Sequence, residues 1–134
     1  MKMNLDCMRD VLEYLQDMPL NAYKNVNELC SELTAYEHDD VQYTCLKLYE
    51  AGMISAVTVD IDNIPLPNVE YIYDVTFQGH QFWLKIKDES RWNGIKKVLP
   101  TIRDYSIDAI NAVANGFASA AISAFFSSNQ SANG

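Results

Sequence analysis

Tyr71–Lys87 reads YIYDVTFQGHQFWLKIK, and its hydrophobic period changes partway along. Up to Thr76 the residues alternate, with Val69, Tyr71, Tyr73 and Val75 on one face and Glu70 and Asp74 on the other. A period of two predicts a strand. Beyond Thr76, Phe77, Phe82, Trp83 and Ile86 recur at helical spacing. Thr76 stands at the switch, where its hydroxyl can accept a hydrogen bond from a free N–H of the first helical turn. Gly79 lies inside that turn, where glycine weakens a helix. A close backbone approach to the preceding hairpin is therefore expected there.

Upstream, Met53–Ile61 (MISAVTVDI) is rich in β-branched residues, with Val57, Val59 and Ile61 alternating against Thr58 and Asp60. It reads as a second strand. The loop DNIPLPN, residues 62–68, holds two prolines that exclude a central strand. The two strands form a hairpin. Three short helices precede it. The first, residues 4–17, is capped by Asn4, carries the stripe Leu5, Met8, Leu12 and Leu15, and stops at Pro19. After a connector, Leu20–Lys24, the second covers 26–35, with Asn25 and Glu28 as a capping pair and Val26, Leu29, Cys30 and Leu33 inward. The third covers 40–51, capped by Asp39, packed through Val41, Cys45, Leu48 and Tyr49, and closed by Gly52 at positive φ.

Three helices, the last two closely spaced, followed by a hairpin make the arrangement of a winged helix-turn-helix. The fold class expected is α+β. Beyond the hairpin, helices are expected at 77–87, at 89–99 bounded by Pro100, and at 102–127 capped by Thr101. The organisation is thus a winged-helix domain at 1–88, a helical C-terminal extension at 89–127 and a polar tail at 128–134. The last helix carries no charge from Ala109 onward. Asn111, Asn115, Ser119, Ser123 and Ser127 form a polar stripe, Ala112, Gly116, Ala120 and Ala124 a stripe of small residues, and Ile110, Val113, Phe117 and Ala121 an apolar face.

With 49% apolar residues the 134-residue chain can bury a core. Its charge is uneven. Residues 1–84 carry 14 acidic and 4 basic side chains, whereas residues 85–134 carry 4 acidic and 6 basic. No Lys or Arg falls between Lys47 and Lys85, a span that holds Glu50, Asp60, Asp62, Glu70 and Asp74. Such a front half repels phosphate backbones. Cys7, Cys30 and Cys45 show no short C-x-x-C spacing, which argues against a disulfide framework or a zinc site and for reduced core thiols. The opening MKMNLDCMRD has acids where an export signal needs an apolar run, so the expected location is cytoplasmic.

Three stretches carry a resemblance: MKMNLDCMRDVLEYL (1–15), YTCLKLYEAGMI (43–54) and YIYDVTFQGHQFWLKIKDESRW (71–92). They are similar to small bacterial and prophage proteins grouped as a domain of unknown function, over about residues 1–99. The resemblance implies a winged-helix-like fold and a phage or mobile-element origin. It implies no activity.

Several groups could carry chemistry. On a DNA-reading third helix, Asp39, Asp40, Gln42, Tyr43, Lys47 and Glu50 would face the groove. The entering end would be acidic, and the wing has no basic residue, so phosphate contacts lack donors. Lys85, Lys87, Arg91, Lys96, Lys97 and Arg103 form a basic segment for nucleic acid or anionic lipid, or else a solvated helix face. His80 reads as packed on Trp83 or the wing rather than as a base. His38 beside Asp39 and Asp40 suggests capping more than a metal. Asp60-x-Asp62 fails as a calcium loop, with Pro65 and Tyr71 where Gly and Glu are required. No phosphate loop, nucleophile elbow or Cys–His pair occurs, so no cofactor, no metal and no enzyme is expected.

The reading favoured is a non-enzymatic interaction module that binds a protein partner through Asp39, Asp40, Gln42, Tyr43, Asp60, Asp62 and Tyr71, with mimicry of DNA as one form. The alternatives are a DNA-binding regulator using the basic segment and a membrane-associated effector. The last helix packs on its own domain, forms a homo-oligomer through Ala112, Gly116, Ala120 and Ala124 beside Phe117, or docks on a membrane surface. Its asparagines and hydroxyls dilute a spanning segment.

Overall fold

The computed structural model describes residues 1–133, apart from the side chains at 121, 122 and 128–133. The chain is α+β. Among the described residues six helices and three strands follow in the order α1 (Leu5–Leu15), β1 (Lys24–Asn25), α2 (Val26–Glu32), α3 (His38–Glu50), β2 (Ile54–Val59), β3 (Asn68–Val75), α4 (Phe77–Ile86), α5 (Glu89–Ile102) and α6 (Ile107–Asn133). It divides into two compact units, Met1–Leu84 and the residues from Lys85 on.

In the first unit, α1 begins where the Asn4 side chain accepts the Cys7 N–H at 3.0 Å. Its buried stripe is Cys7, Met8, Val11, Leu12 and Leu15, with Leu5 half-buried. The helix packs on α3, which buries Val41, Thr44, Cys45, Leu46 and Leu48. Helix α2 contributes Val26 and Leu29 and is capped by Asn25, which accepts the Asn27 N–H at 2.7 Å. Side chains at helical spacing thus meet in one core, and burying each removes about 1.5–3 kcal/mol worth of apolar surface from water. Tyr49, expected in that core, is exposed.

The sheet is antiparallel with strand order β1-β3-β2, one strand more than the expected hairpin. Lys24 and Asn25, inside the expected connector, pair with Ile72 and Tyr71. Two residues are too few to display a period of two, so this strand left no pattern to read.

The alternation expected along β3 is also corrected. Val69, Ile72 and Val75 are buried, while Tyr71 is half-buried and Tyr73 exposed. The pairing with β2 explains it. Ser55 faces Asp74 and Ala56 faces Ile72, skipping Tyr73; Val57 faces Tyr71 and Thr58 faces Val69, skipping Glu70. Each skipped residue is a bulge, and each bulge moves the residues beyond it to the opposite face. Two bulges turn a period of two into buried positions every third residue.

The junction between hairpin and helix fits the close approach expected from Gly79. A Cβ there would lie 2.0 Å from the Met53 carbonyl oxygen and 2.6 Å from Val75 Cγ1. Thr76 Oγ1 accepts the Gly79 N–H at 3.1 Å and donates to the Gly52 carbonyl, while the Thr76 N–H donates to the Met53 carbonyl at 3.0 Å. Gly52 has φ 73°, which favours glycine over other residues. The end of α3 and the start of α4 are tied through these few atoms.

In the second unit, α5 runs through Pro100 to Ile102 instead of stopping before it. Proline removes one donor, and in the last turn this costs a single intrahelical bond while Leu99 stays buried. The stop comes from Arg103, whose left-handed φ of 55° caps the helix. Ser106, not Thr101, then caps α6: its hydroxyl accepts the Ala109 N–H at 3.1 Å. Thr101 Oγ1 instead donates to the Val98 carbonyl. Helices α5 and α6 pack through Trp92, Ile95, Leu99, Ile107, Ile110 and Ala114, all buried. Gly94 leaves room for Phe117, whose ring would lie 2.9 Å from any Cβ added there. Helix α6 continues to Asn133, beyond the expected end at 127. The readings at Ala121 and in the tail side chains lie outside the described residues.

Candidate interaction surface

Helix α3 opens at Glu37, which makes no side-chain cap bond, so Asp39 sits in the first turn rather than at the cap. Asp39 and Asp40 favour that end through the helix dipole. Asp39 is exposed and Asp40 half-buried. His38 Nε2 lies 3.3 Å from Asn27 Oδ1. Further along, Lys47 lies over the Tyr43 ring at 5.1 Å and reaches Glu50 at 2.9 Å. The Glu50 hydrogen bond holds its ammonium above the usual lysine range. The basic side chain on α3 is thus engaged by its own helix.

Gln42 is withdrawn from the expected surface. Its amide donates to the Val69 carbonyl at 2.8 Å and accepts the Val69 N–H at 3.0 Å. It completes a strand-like bond pair between α3 and the start of β3, with its hydrogen-bonding groups spent on the fold. Tyr43 and Tyr71 are likewise half-buried rather than fully exposed.

The hairpin tip carries Asp60 and Asp62, both exposed, with Asn63 at a left-handed φ of 65°. Between the carboxylates and beyond them, Ile61, Ile64 and Leu66 are 43%, 54% and 49% exposed. The outer face of the sheet continues this apolar surface. Val57 and Val59 are exposed along β2, and Val57 stands opposite Tyr71. The Tyr23 ring meets Tyr71 edge-on at 5.2 Å and Tyr73 at 6.4 Å. Tyr23, Tyr73 and the apolar tip residues Ile61, Ile64 and Leu66 are absent from the surface expected from sequence. The apolar residues flanking the prolines of DNIPLPN were the available signal, since a proline loop at a hairpin end has no core to enter.

The remaining candidates are dispersed. His80 is exposed, and its Nδ1 lies 3.0 Å from Gln16 Oε1. Lys85 donates to Asn111 Oδ1 at 3.0 Å, and Lys96 lies 6.0 Å from the Trp92 ring centroid. Lys87, Lys97 and Arg103 are exposed and Arg91 is half-buried. At roughly 100° per residue, Arg91, Lys96 and Lys97 point in different directions around α5. On α6, Ala112, Gly116, Ala120 and Ala124 are exposed, and nothing lies within 4 Å of a Cβ built on Gly116. Ile107–Ser127 is long and apolar enough, by length and composition, to cross a membrane.

The thiols are not set up as nucleophiles. Burial pushes Cys7 up from 9.0 to about 11, against a lowering contact with the Thr44 hydroxyl, and burial also raises Cys30 and Cys45. All three cysteines are free. Among the described residues no three His, Cys, Asp or Glu side chains gather as a metal site.

An α+β domain with an acidic helix start and an acidic, apolar hairpin is thus the class that fold and surface define. The chain belongs to the family described as Hypothetical protein (DUF2513), whose model matches residues 2–104. It is similar to an uncharacterized protein of Haemophilus influenzae, 31% identical over 116 residues that cover 85% of this chain and 92% of that protein. No solved structure matches.

Proposed function

We propose that the chain is a cytoplasmic, non-enzymatic interaction module of bacterial or prophage origin, built on a winged helix over residues 1–88, that binds a protein partner. The order α1-β1-α2-α3-β2-β3 with sheet order β1-β3-β2 supports the winged-helix reading: a helix-turn-helix is followed by a hairpin whose inner strand also pairs with the segment entering α2. One observation carries the choice of partner. The elements that would meet DNA end in carboxylates, Asp39 on α3 and Asp60 and Asp62 on the wing, while Lys47 is engaged by Glu50 and Tyr43. DNA affinity depends on cations that replace the duplex counterions. Carboxylates displayed at those places instead match a basic protein surface, as a DNA mimic does.

The test is affinity capture from native cells with full-length protein and the Asp39→Lys/Asp40→Lys double variant, beside a duplex-DNA mobility shift near physiological salt. A partner identified with the wild type and lost with the folded variant supports the reading. A shift of DNA by the wild type overturns it. A second reading, membrane association through α6, is favoured by the exposed Phe125 and Phe126 on an apolar helix. Flotation with anionic vesicles, lost on truncation after residue 103, is its expected mark.

A further inference from the structure

We infer that the outer edge of β2 takes up an extended, basic segment of the partner as an added strand. The inference rests on the protein-partner reading above and specifies the partner's chemistry. Strand β2 is the last in the order β1-β3-β2, so among the described residues its outer backbone groups face no neighbouring strand. Exposed edges normally carry lysine, proline or a bulge as protection against pairing. Ile54–Val59 reads ISAVTV and has no charge and no proline, and both bulges lie on β3. The edge is regular and unguarded.

Its side chains add an apolar track. Val57 and Val59 are exposed on one face of the strand, and Ile61 follows at the tip. Recognition by strand addition draws affinity from main-chain hydrogen bonds and selectivity from alternate side chains. The surrounding charge decides what those side chains are. Asp60 and Asp62 follow the strand directly, and Asp74 stands opposite Ser55. A segment alternating apolar residues with lysine or arginine lays one set on Val57 and Val59 and brings the other to Asp60 and Asp62. A second copy of this chain is a poor occupant, because its own edge strand brings no lysine or arginine to these carboxylates, none falling between Lys47 and Lys85. The chain's own last helix brings no cation to them either, having no basic residue from Ala109 onward.

The experiment titrates full-length, isotope-labelled protein with a fluorescent eight-residue peptide alternating Lys and Val. A Glu-Val counterpart and a Lys-Val peptide N-methylated at alternate residues serve as controls. Binding of the Lys-Val peptide, slowed amide exchange within Ile54–Val59, and at least tenfold weaker binding of both controls and of the Asp60→Lys/Asp62→Lys variant are expected. No binding, or equal binding of the N-methylated peptide, overturns strand addition, as does a dimer in sedimentation that Val57→Lys dissolves. If the peptide fails while Asp39→Lys/Asp40→Lys still loses its native partner, strand addition falls and the protein-partner reading stands. A DNA shift by the wild type brings down both.

Discussion

The two ends of the β2–β3 hairpin are built on opposite rules. At the base, small groups meet in a space with no slack: Gly79 against the Met53 carbonyl, and Thr76 bonded to both sides of the junction. At the tip, Ile61, Ile64 and Leu66 stand in solvent between carboxylates. The base spends its polar groups on internal partners and the tip keeps its groups outward. A segment can therefore hold shape at one end and leave its side chains open to solvent at the other, and substitutions should separate the two.

The largest effect expected is at Gly79. Gly79→Ala drives a methyl into backbone and should lower stability by about 3 kcal/mol or more, read by denaturant unfolding. Gln42→Ala leaves the Val69 N–H and carbonyl without their partner and should cost about 2 kcal/mol, with Gln42→Glu recovering only the accepted bond. Thr76→Val removes the α4 cap and should cost about 1 kcal/mol. Alkali should act on the helical core that supports the base. Burial raises the Cys7 thiol from 9.0 to about 11, so the folded chain keeps a proton that the unfolded chain releases. This contribution is full below pH 9 and is lost as pH rises through about 11. Thermal melts across that window should fall for the wild type and fall less for Cys7→Ala. At the tip, Ile64→Ser with Leu66→Ser should change stability by less than about 0.5 kcal/mol. A loss comparable to that of Thr76→Val would mean that the tip is held by packing and would erase the contrast.

The junction at the base was legible and the apolar surface of the sheet and tip was not, for a physical reason. Glycine in a first helical turn, threonine at a change of period and glycine after a helix are each costly or unusual choices that only one local geometry explains. Bulges leave no such trace. The alternation of Val69, Tyr71, Tyr73 and Val75 is real in sequence, but pairing with β2 skips Glu70 and Tyr73, so Val69 and Val75 are buried while Tyr71 is half-buried and Tyr73 exposed. Gln42 misled for a related reason: a polar residue on a helix looks the same whether it reads a base or holds a strand, and only the neighbouring backbone decides. Pro100 misled as a stop because its cost depends on how many helical bonds follow it.

The junction of Gly52, Thr76 and Gly79 also sorts the chain by tolerance to length. Between Thr76 and Gly79 no residue can be added, because the hydroxyl must reach that N–H while the missing Cβ clears Met53. Between Val59 and Asn68 the chain crosses from strand to strand through an exposed loop. Doubling such a loop costs only about 0.6 kcal/mol in closure entropy. Insertions, epitope tags or a grafted recognition peptide belong there, and natural relatives have room to lengthen the hairpin without rebuilding the domain beneath it.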